Sequence, residues 1–356
     1  MLDEFDLAKL VEPLQNWFSG NARILPWREN PTPYYVWVSE IMLQQTRVEA
    51  VKPYFERFIR ELPDVGSLAE CPEDQLLKLW EGLGYYNRVR NLKTAAQQIM
   101  QDYAGVIPDD YQELLQLKGI GHYTAGAIIS IAYDQPYPAV DGNVLRVISR
   151  VTADDSDIMK QSVRTHMEEK LTDLMQNDSY GVIPRVFNQA LMELGATVCL
   201  PNGDPHCQDC PWREHCVARK QGRVKELPVK KKAKERRIEK RTVLIVRDGD
   251  KVAIHKRPDK GLLAGLYELP NCEGSYHPKQ VVEYVKMQGY EPLRVQKLEP
   301  AKHIFSHVEW QMTAYVVKVE ENYEQTLNWV FVKKEDAKEN YAIPSAFHAY
   351  TEWIKG

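Results

Sequence analysis

A single acidic side chain stands inside an apolar stretch near the start of the chain, in the run "YYVWVSEIMLQQTRVEAV" at residues 34–51. In one continuous helix over this run, the residues that share a face with Glu40 are Trp37, Ile41, Gln44 and Val48. Burial disfavours the charged form of a carboxyl group, so apolar surroundings raise its pKa. The sequence therefore predicts either a satisfied core carboxyl or a general acid that keeps its proton near neutral pH.

A second acidic side chain, Asp141, follows a proline-containing loop in "YPAVDGNVLRVISR" and precedes Gly142 and Asn143. This position suits the N-cap of a helix that begins there, which is the purely structural interpretation. Yet one carboxyl in apolar surroundings and another in a polar loop would separate their pKa values into an acid and an anion. Such a pair suits the cleavage of a glycosidic bond.

Four of the six cysteines lie close together in the pattern C-x7-C-x2-C-x5-C, formed by Cys199, Cys207, Cys210 and Cys216. Without an export signal, disulfide bonds are not expected in such a chain. The spacing is typical of four thiolates on one metal centre, and by ligand count zinc and an iron–sulfur cluster both remain possible. Four unrelated reduced cysteines are the alternative.

The run "LQLKGIGHYTAGAIISIAY" at residues 115–133 carries two glycines, Gly119 and Gly121, that can form a tight turn. A helix of small residues follows, and the backbone N–H groups at its start can face a phosphate. The pattern indicates a helix-hairpin-helix that binds the DNA backbone without sequence preference. An ordinary corner between two helices would have the same pattern.

The length of 356 residues and mass of 41.2 kDa favour about two domains. Helical periodicity dominates up to about residue 220, with Ser67 and Asp109 as expected N-caps. Two β-rich runs around an Asp-Gly turn then follow in "TVLIVRDGDKVAIHKR". We expect a helical catalytic region at residues 1–222, a linker at 223–241 and an α+β domain at 242–356.

The expected linker, "RVKELPVKKKAKERRIEKR", holds ten basic and three acidic residues. It is either a solvated tether or a contact to the DNA backbone. The whole chain has 46 basic and 50 acidic residues, so any affinity for nucleic acid must come from local patches. No signal peptide or membrane span is expected, which indicates a cytoplasmic protein without a membrane partner. We also expect a monomer.

Several of these segments resemble one known family when they are taken together. The runs "PWRENPTPYYVWVSEIMLQQTRVEAVKPYFERF" and "WEGLGYYNRVRNL", the hairpin, "VDGN" and the cysteine pattern resemble the adenine-specific mismatch DNA glycosylases of the MutY family, in the endonuclease III-like superfamily. The resemblance covers nearly the whole chain. It implies a mainly α glycosylase region followed by an α+β Nudix-like domain, a [4Fe–4S] cluster on the four cysteines, and double-stranded DNA with A:8-oxoguanine or A:G mispairs as the substrate.

The resemblance also implies catalytic roles, which fall on Glu40, Asp141, Tyr123 and Asn143. Glu40 would protonate N7 of the flipped adenine, and Asp141 would stabilise the oxocarbenium sugar or trap it covalently. Relatives that also cut the strand have a lysine at the position of Tyr123. Because a phenol cannot form a Schiff base, we expect a monofunctional glycosylase in which Tyr123 orients Asp141 or the sugar.

By the same resemblance, three groups of residues contact the substrate. Adenine is held by Trp27, Arg28 and Gln189, the last at a position where some members carry glutamate. The duplex is entered by Gln45 and Tyr85, with Thr46 and Leu83 beside them, and phosphate is met by Lys118, Gly119 and Gly121. The oxidised guanine is probed by Phe305, Ser306 and His307. One departure is that seven residues, where the family usually has six, separate Cys199 from Cys207.

The C-terminal region also resembles the start of a Nudix box, at "GLLAGLYELPNCEG" in residues 261–274. Nudix hydrolysis needs several glutamates on one helix face to bind Mg²⁺. The following text, "SYHPKQVVEYVKMQGY", lacks them, and Glu268 alone is insufficient. We therefore expect a recognition module. A nucleotide pyrophosphatase and a non-catalytic iron–sulfur DNA-binding protein remain the alternatives to a glycosylase.

Overall fold

The computed structural model describes residues 2–231, 235–320 and 329–355, and the chain divides into two compact units. The first unit comprises Met1–Cys71 and Asn87–Lys232, and the second comprises Pro72–Tyr86 and Ala233–Gly356. Part of the expected linker, residues 232–234, lies outside the described residues. The segment Pro72–Tyr86 belongs to the region that we expected to be one helical domain, yet it groups with the C-terminal residues.

Hydrogen bonds and an ion pair explain this grouping of residues 72–86. The Lys78 Nζ donates to the Tyr341 carbonyl at 3.0 Å, and the Ile343 N–H donates to Glu81 Oε1 at 3.0 Å. Asp74 accepts from Lys256 Nζ at 2.7 Å. The short helix in this segment is thus part of the second unit.

The helices account for nearly all of the regular structure in the first unit. In chain order through both units they are α1 (Val11–Asn21), α2 (Pro26–Glu29), α3 (Pro33–Leu43), α4 (Val48–Glu61), α5 (Val65–Glu70), α6 (Glu73–Leu79), α7 (Asn87–Asp102), α8 (Tyr111–Gln116), α9 (His122–Ile131), α10 (Gly142–Thr152), α11 (Gln161–Met175), α12 (Pro184–Thr197), α13 (Val217–Lys220), α14 (Pro278–Met287), α15 (Lys334–Asn340) and α16 (Glu352–Lys355). Short 3-10 helices lie at Ala8–Leu10, Asp178–Tyr180 and Ser345–Tyr350.

One apolar core joins α1, α10, α11 and α12 of the first unit, with Leu14, Ile148, Leu171, Leu191 and Trp212 among its buried side chains. In α9, a small residue is required where a loop packs closely against the helix. A Cβ atom added at Gly126 would lie 2.1 Å from the Pro138 carbonyl oxygen, so only glycine allows the loop before Asp141 to pack against this helix.

The prediction that Glu40 and Val48 belong to one helix is wrong. Helix α3 ends at Leu43, and α4 begins at Val48. Gln45 between them has a left-handed backbone with φ of 59°, and Arg88 Nη1 donates to the carbonyls of Ile41 and Gln44 at 2.6 Å. The guanidinium thus takes carbonyls that a continuing helix would need.

Two predicted helix caps are also misplaced. The N-cap of α8 is Asp110, one residue after the expected Asp109, and Asp64 caps α5. Ser67, which was expected to be a cap, is the third helical residue and completes a reciprocal capping box with Asp64.

The described residues of the second unit form an eight-stranded sheet. Its strands are β1 (Arg237–Asp248), β2 (Lys251–Lys256), β3 (Tyr267–Glu268), β4 (Asn271–Glu273), β5 (Pro292–Lys297), β6 (Ala301–Ile304), β7 (Val308–Val319) and β8 (Val330–Lys333). The main path runs β3-β2-β1-β7-β5, with β4 on β1, β6 on β7 and β8 on β2. Strands β1 and β7 are parallel, and β1 and β2 pair in antiparallel orientation on either side of the expected Asp-Gly turn.

Strand β1 begins at Arg237, inside the segment expected to be a linker, because residues 237–247 pair along their whole length with β7. The sheet has apolar cores on both faces. One core holds Trp310, Met312 and Phe347, and the other holds Tyr315, Val317 and the buried side of α14. Among the described residues, no helix has the length and apolar run that crossing a membrane would require.

Candidate active site

The first unit contains a cavity of about 550 Å³. The residues expected from the sequence to act there and found in its lining are Trp27, Arg28, Glu40, Gln45, Thr46, Tyr123, Asp141, Asn143 and Gln189. They come from α2, from α3 and the turn after it, from the starts of α9 and α10, and from α12. The structure thus brings both acids, their expected helpers and the expected adenine-binding residues to one opening.

Glu40 lies in α3 at the wall of this cavity and is only 5% exposed. Burial raises its pKa to about 7, against an opposing hydrogen bond from Tyr123, while the nearby Asp141 raises the pKa further. The Tyr123 hydroxyl donates to Glu40 Oε2. Because burial holds the pKa of Tyr123 well above 10, the phenol keeps its proton and remains a donor.

Asp141 caps the N-terminus of α10, as its sequence position predicts. Its Oδ1 accepts from the Asn143 and Val144 N–H groups at 2.8 Å, and its Oδ2 accepts from Asn143 Nδ2 at 2.7 Å. Burial raises the pKa of Asp141 above its ordinary value, while these hydrogen bonds and the charge of Arg146 oppose the rise. The hydrogen bonds favour the carboxylate anion and fix its orientation toward the cavity.

The loop that carries Asp141 is held from two sides. The fully buried Asn188 accepts from the Ala139 N–H at 3.0 Å and donates to the Tyr137 carbonyl at 2.8 Å. Arg164 donates to the Val140 carbonyl at 2.6 Å. These contacts leave the residue before the cap little freedom, so the position of the carboxylate depends on buried groups.

The sequence analysis missed a third acid at the cavity, Glu193 of α12, which is fully buried. It accepts from Arg23 Nε at 2.6 Å and from Arg28 Nη2 at 2.8 Å. Burial alone would raise the pKa of Glu193, but both arginines outweigh that effect and lower it. The apolar neighbours Leu191 and Leu194 were the signal for it, since they place Glu193 in the same sequence context as Glu40.

Glu193 therefore fixes Arg28, one of the residues expected to hold adenine, at the cavity wall. Trp27 beside it is buried edge-on against Phe55, with ring centroids 5.4 Å apart. Gln189 donates through Nε2 to the Arg185 carbonyl at 2.9 Å. That bond turns the amide so that its oxygen is the end left for a ligand.

The two residues expected to enter the duplex share an unusual backbone conformation. Gln45, in the turn between α3 and α4, has φ of 59°, and Tyr85 in the second unit has φ of 48°. Both side chains are exposed, whereas Leu83 is buried. Left-handed backbone at residues other than glycine is strained and concentrates at functional positions. Thr46 follows Gln45 and lines the cavity.

The hairpin turn lies between α8 and α9 and is exposed at Lys118, Gly119 and Gly121. Gly119 has φ of 79°, and a Cβ there would lie 2.7 Å from Asn91 Cβ. Gly121 is the N-cap of α9 and offers no side chain to the N–H groups of its first turn. Tyr123 lies in that turn, so the hairpin both exposes backbone donors and positions the phenol.

The four clustered cysteines line a second, smaller cavity together with Arg150, Arg213 and Arg219. Arg150 Nη1 is 3.3 Å from Cys199 Sγ. In the described part of the chain, no three His, Cys, Asp or Glu side chains stand as they would around a single ion. Four thiols around one cavity with cationic walls supply the soft sulfur ligands that a zinc ion or an iron–sulfur cluster takes.

The extra residue between the first two cysteines is accommodated in a closed loop. The His206 N–H donates to the Val198 carbonyl at 2.9 Å, and Gly203 takes a left-handed turn with φ of 76°. All four cysteines still line the same cavity, so the longer spacing does not prevent their convergence.

Helix α10 connects the cysteine region with Asp141 through Arg146. Its Nη2 donates to Asn143 Oδ1 at 2.9 Å, and its Nε donates to the Cys199 carbonyl at 2.9 Å. Asn143 in turn donates to Asp141. A displacement of the cysteine loop would therefore change the position of the Asp141 carboxylate through Arg146 and Asn143.

The expected lesion-reading residues form the turn between β6 and β7 of the second unit. Ser306 and His307 are exposed, and the serine Oγ is 3.2 Å from the imidazole Nδ1. Phe305 is half-buried and packs edge-on against Trp310, with centroids 5.0 Å apart. The phenyl ring thus anchors the turn, and the apolar side chain exposed beside it is Ile304.

Glu268 of the Nudix-like sequence is 3% exposed and engaged by its own domain. Arg257 Nη1 lies 2.5 Å from its Oε2, and His255 Nε2 lies 3.2 Å from its Oε1. The helix that follows, α14, carries one glutamate, Glu283. The Glu268 carboxylate is therefore engaged by an ion pair with Arg257 and a contact with His255.

Comparison with known proteins finds two family models that match this chain. A model described as HhH-GPD superfamily base excision DNA repair protein matches residues 38–173, and a NUDIX domain model matches residues 241–353. The adenine DNA glycosylase of Mus musculus is 34% identical over 377 residues, which cover 90% of this chain and 72% of the mouse protein. That of Buchnera aphidicola subsp. Acyrthosiphon pisum is 40% identical over 216 residues, 60% of each chain. The solved structure of a thermostable thymine-DNA glycosylase aligns with a TM-score of 0.51 at 26% identity, covering 60% of this chain and 97% of that one.

Proposed function

This chain belongs to the adenine DNA glycosylase family, and from that premise we propose that it hydrolyses the N-glycosidic bond of adenine mispaired with 8-oxoguanine or guanine. The observation that carries the proposal is the pairing of Glu40, with its pKa raised to about 7, and the capped Asp141 on one cavity. An ordinary glutamic acid, with a pKa near 4.3, would be protonated in about one molecule in 500 at pH 7. With its raised pKa, Glu40 is protonated in a large fraction of the molecules at pH 7.

The chemistry follows from the two oxygens of Glu40. Because Tyr123 donates to Oε2, the acidic proton is carried by Oε1, which transfers it to a ring nitrogen of adenine. The N-glycosidic bond then breaks, and its electron pair leaves with the base. The sugar becomes an oxocarbenium ion, which the Asp141 carboxylate stabilises until water adds to the sugar carbon.

Residues of the cavity hold the base, and residues both in and outside it contact the opened duplex. Trp27 and Arg28 line the adenine site, and Gln189 offers an amide oxygen to the exocyclic amine of adenine. Gln45 and Tyr85 enter the duplex where the base has left, since extrusion of a base leaves a gap in the stack. The hairpin around Gly119 and Gly121 binds phosphate through its backbone N–H groups.

The four clustered cysteines hold a [4Fe–4S] cluster. The convergence of four thiols on one cavity and the three arginines at its wall support this assignment, because the cationic side chains offset the charge of the thiolates. The bound group would tie the 199–216 segment to α10, whose Arg146 holds the Cys199 carbonyl and Asn143. Its contribution is thus to the folding of the DNA-binding unit.

The proposal is tested with a duplex that carries one adenine opposite 8-oxoguanine, opposite guanine or opposite thymine. We expect adenine release from the first two duplexes, with a strand that breaks only after alkali. Borohydride should trap no covalent complex, because Tyr123 supplies no amine. Release of pyrophosphate from nucleoside triphosphates without adenine release would contradict the proposal, and so would binding of the mispair without any excision.

The turn at Ser306 and His307 supplies recognition of the oxidised guanine. 8-Oxoguanine gains a hydrogen at N7 and an oxygen at C8, so a hydroxyl and an imidazole can match its changed acceptor and donor. We expect the double variant Ser306→Ala with His307→Ala to lose about 1–3 kcal/mol of preference for A:8-oxoguanine over A:G. Excision of A:G should continue at the wild-type rate.

The control for this double variant is Gln311→Ala, an exposed residue of β7 outside the turn. Binding and single-turnover rates measured on both mispairs separate recognition from chemistry. Full preference in the double variant would assign the reading of the lesion to Gln45, Thr46, Leu83 and Tyr85 instead.

A further inference from the structure

The second unit carries a basic cavity that neither the excision chemistry nor the 305–307 turn uses. It has a volume of about 290 Å³ and lies where β1, β5 and β7 meet α16. Its charged walls are Arg247, Arg294 and Lys318, and Trp353 forms an apolar wall. No carboxylate lines it among the residues that the structure describes.

The three cations form one row across three strands. Lys318 in β7 is the register partner of Arg247 in β1 and of Arg294 in β5. Neighbouring strands lie about 4.8 Å apart, and like charges directly opposite each other are destabilising. A sheet that keeps such a row at a concave surface gains nothing in stability from it.

Other arginines of the same unit are paired with acids. Arg241 contacts Glu239, and Arg257 contacts Glu268. Within residues 235–320 and 329–355, none of the three cations of the row makes an ion pair with a carboxylate. The hydrogen bond found for Arg247 is a 3.4 Å contact to the Gly249 carbonyl. The row therefore offers its N–H donors to a ligand.

We propose that this basic cavity binds phosphate groups, either of a DNA backbone or of a free diphosphate-bearing molecule such as a nucleotide. Two guanidinium groups and an ammonium match the charge and the acceptor oxygens of a diphosphate. The Gln296 amide adds a neutral donor, and the Trp353 ring adds a surface against which a base can stack. The volume is at the lower end of that of small-molecule sites, about 300 Å³.

The basic cavity is separate from the lesion-reading turn within the same unit. The turn adjoins the start of β7 at Val308, whereas Lys318 lies one residue before the end of that strand. At about 3.3 Å per residue, ten residues of strand span about 33 Å. A phosphate in the cavity would thus belong to a distant part of the duplex or to another molecule.

The test uses the full chain, with inorganic pyrophosphate and a duplex as separate probes. The variants are Lys318→Gln and Arg294→Gln, which remove one charge each from exposed side chains. The matched control is Lys297→Gln, which removes one charge from the same strand as Arg294 at a position outside the cavity lining. Adenine excision is measured throughout, so a failure of the glycosylase proposal is recognised independently.

We expect calorimetry to show pyrophosphate binding to the wild type and about fivefold or greater weakening in the two variants, with no change in the control. If the natural ligand is the DNA backbone, the salt dependence of duplex binding should also fall by about 0.9 per removed cation in the log–log slope. If it is a free diphosphate, that slope should stay at the control value. The proposal is overturned if neither pyrophosphate affinity nor the slope differs between these variants and Lys297→Gln.

Discussion

Replacing Glu40 by glutamine should stop adenine excision while leaving affinity for the mispaired duplex nearly unchanged. Glutamine has the same shape and accepts the Tyr123 hydrogen bond, but its amide cannot deliver a proton at neutral pH. General acid catalysis contributes about 10²–10⁴-fold, so the single-turnover rate should fall by at least the lower figure. Retention of a tenth of the wild-type rate would exclude proton delivery by this residue.

The same variant should be at least as stable as the wild type above neutral pH. Folding raises the pKa of Glu40 from 4.5 to about 7, so the folded state binds the proton more tightly and loses stability as pH rises through that window. At 1.36 kcal/mol per pKa unit, the loss reaches at most about 3 kcal/mol. The difference in the free energy of unfolding between the wild type and Glu40→Gln should change by this amount between pH 4 and pH 8, because all other titrating groups are common to both proteins.

Replacing Asp141 by asparagine should be the second most damaging change. Asparagine caps helices about as well as aspartate, so α10 should keep its N-terminus. The negative charge beside the oxocarbenium ion is lost, however, and the removal of one electrostatic contact to a transition state typically costs about 10²–10³-fold. We expect a loss of that size in the single-turnover rate.

Asp110→Asn is the matched control for this change, because Asp110 also caps a helix through two N–H groups, those of Gln112 and Glu113. Its excision rate should equal that of the wild type. Equal losses in both variants would mean that Asp141 acts only as a cap, and the role assigned to its charge would then be wrong.

Much of the site could be predicted because the environment of its main residues depends on their neighbours in the sequence. A carboxyl among apolar residues indicates burial wherever the chain folds, and Glu40 is indeed 5% exposed. A residue before Gly-Asn at a helix start indicates a cap, and Asp141 accepts the N–H groups of Asn143 and Val144. Four closely spaced cysteines indicate a common site, and all four line one cavity.

The parts that were missed depend on residues far apart in sequence. The end of α3 depends on the hydrogen bond from Arg88 to the Ile41 carbonyl, which joins residues more than forty positions apart. No local sequence pattern predicts this bond. Glu193 holds Arg23 across 170 positions. The grouping of residues 72–86 with the C-terminal residues likewise arises from pairs such as Lys78 with Tyr341.

The half-buried position of Phe305 illustrates a different limit. Its side chain was expected to probe the oxidised guanine, and contacts with the rings of His303 and Trp310 leave it half-buried. Which residues of a hairpin turn face the solvent depends on the register of the two strands. In this turn the register of β6 and β7 pairs Ile304 with Glu309.

The most direct test of the account is the pH dependence of the single-turnover excision rate on a duplex with adenine opposite 8-oxoguanine. Glu40 must be protonated to act, and its pKa is raised to about 7, so the rate should level off below that value. Above it, the rate should fall about tenfold for each pH unit. Asp141 must be ionised, so a second fall is expected in acid, toward its raised pKa. A rate that stays constant from pH 6 to pH 9 would contradict the claim that a protonated Glu40 drives excision.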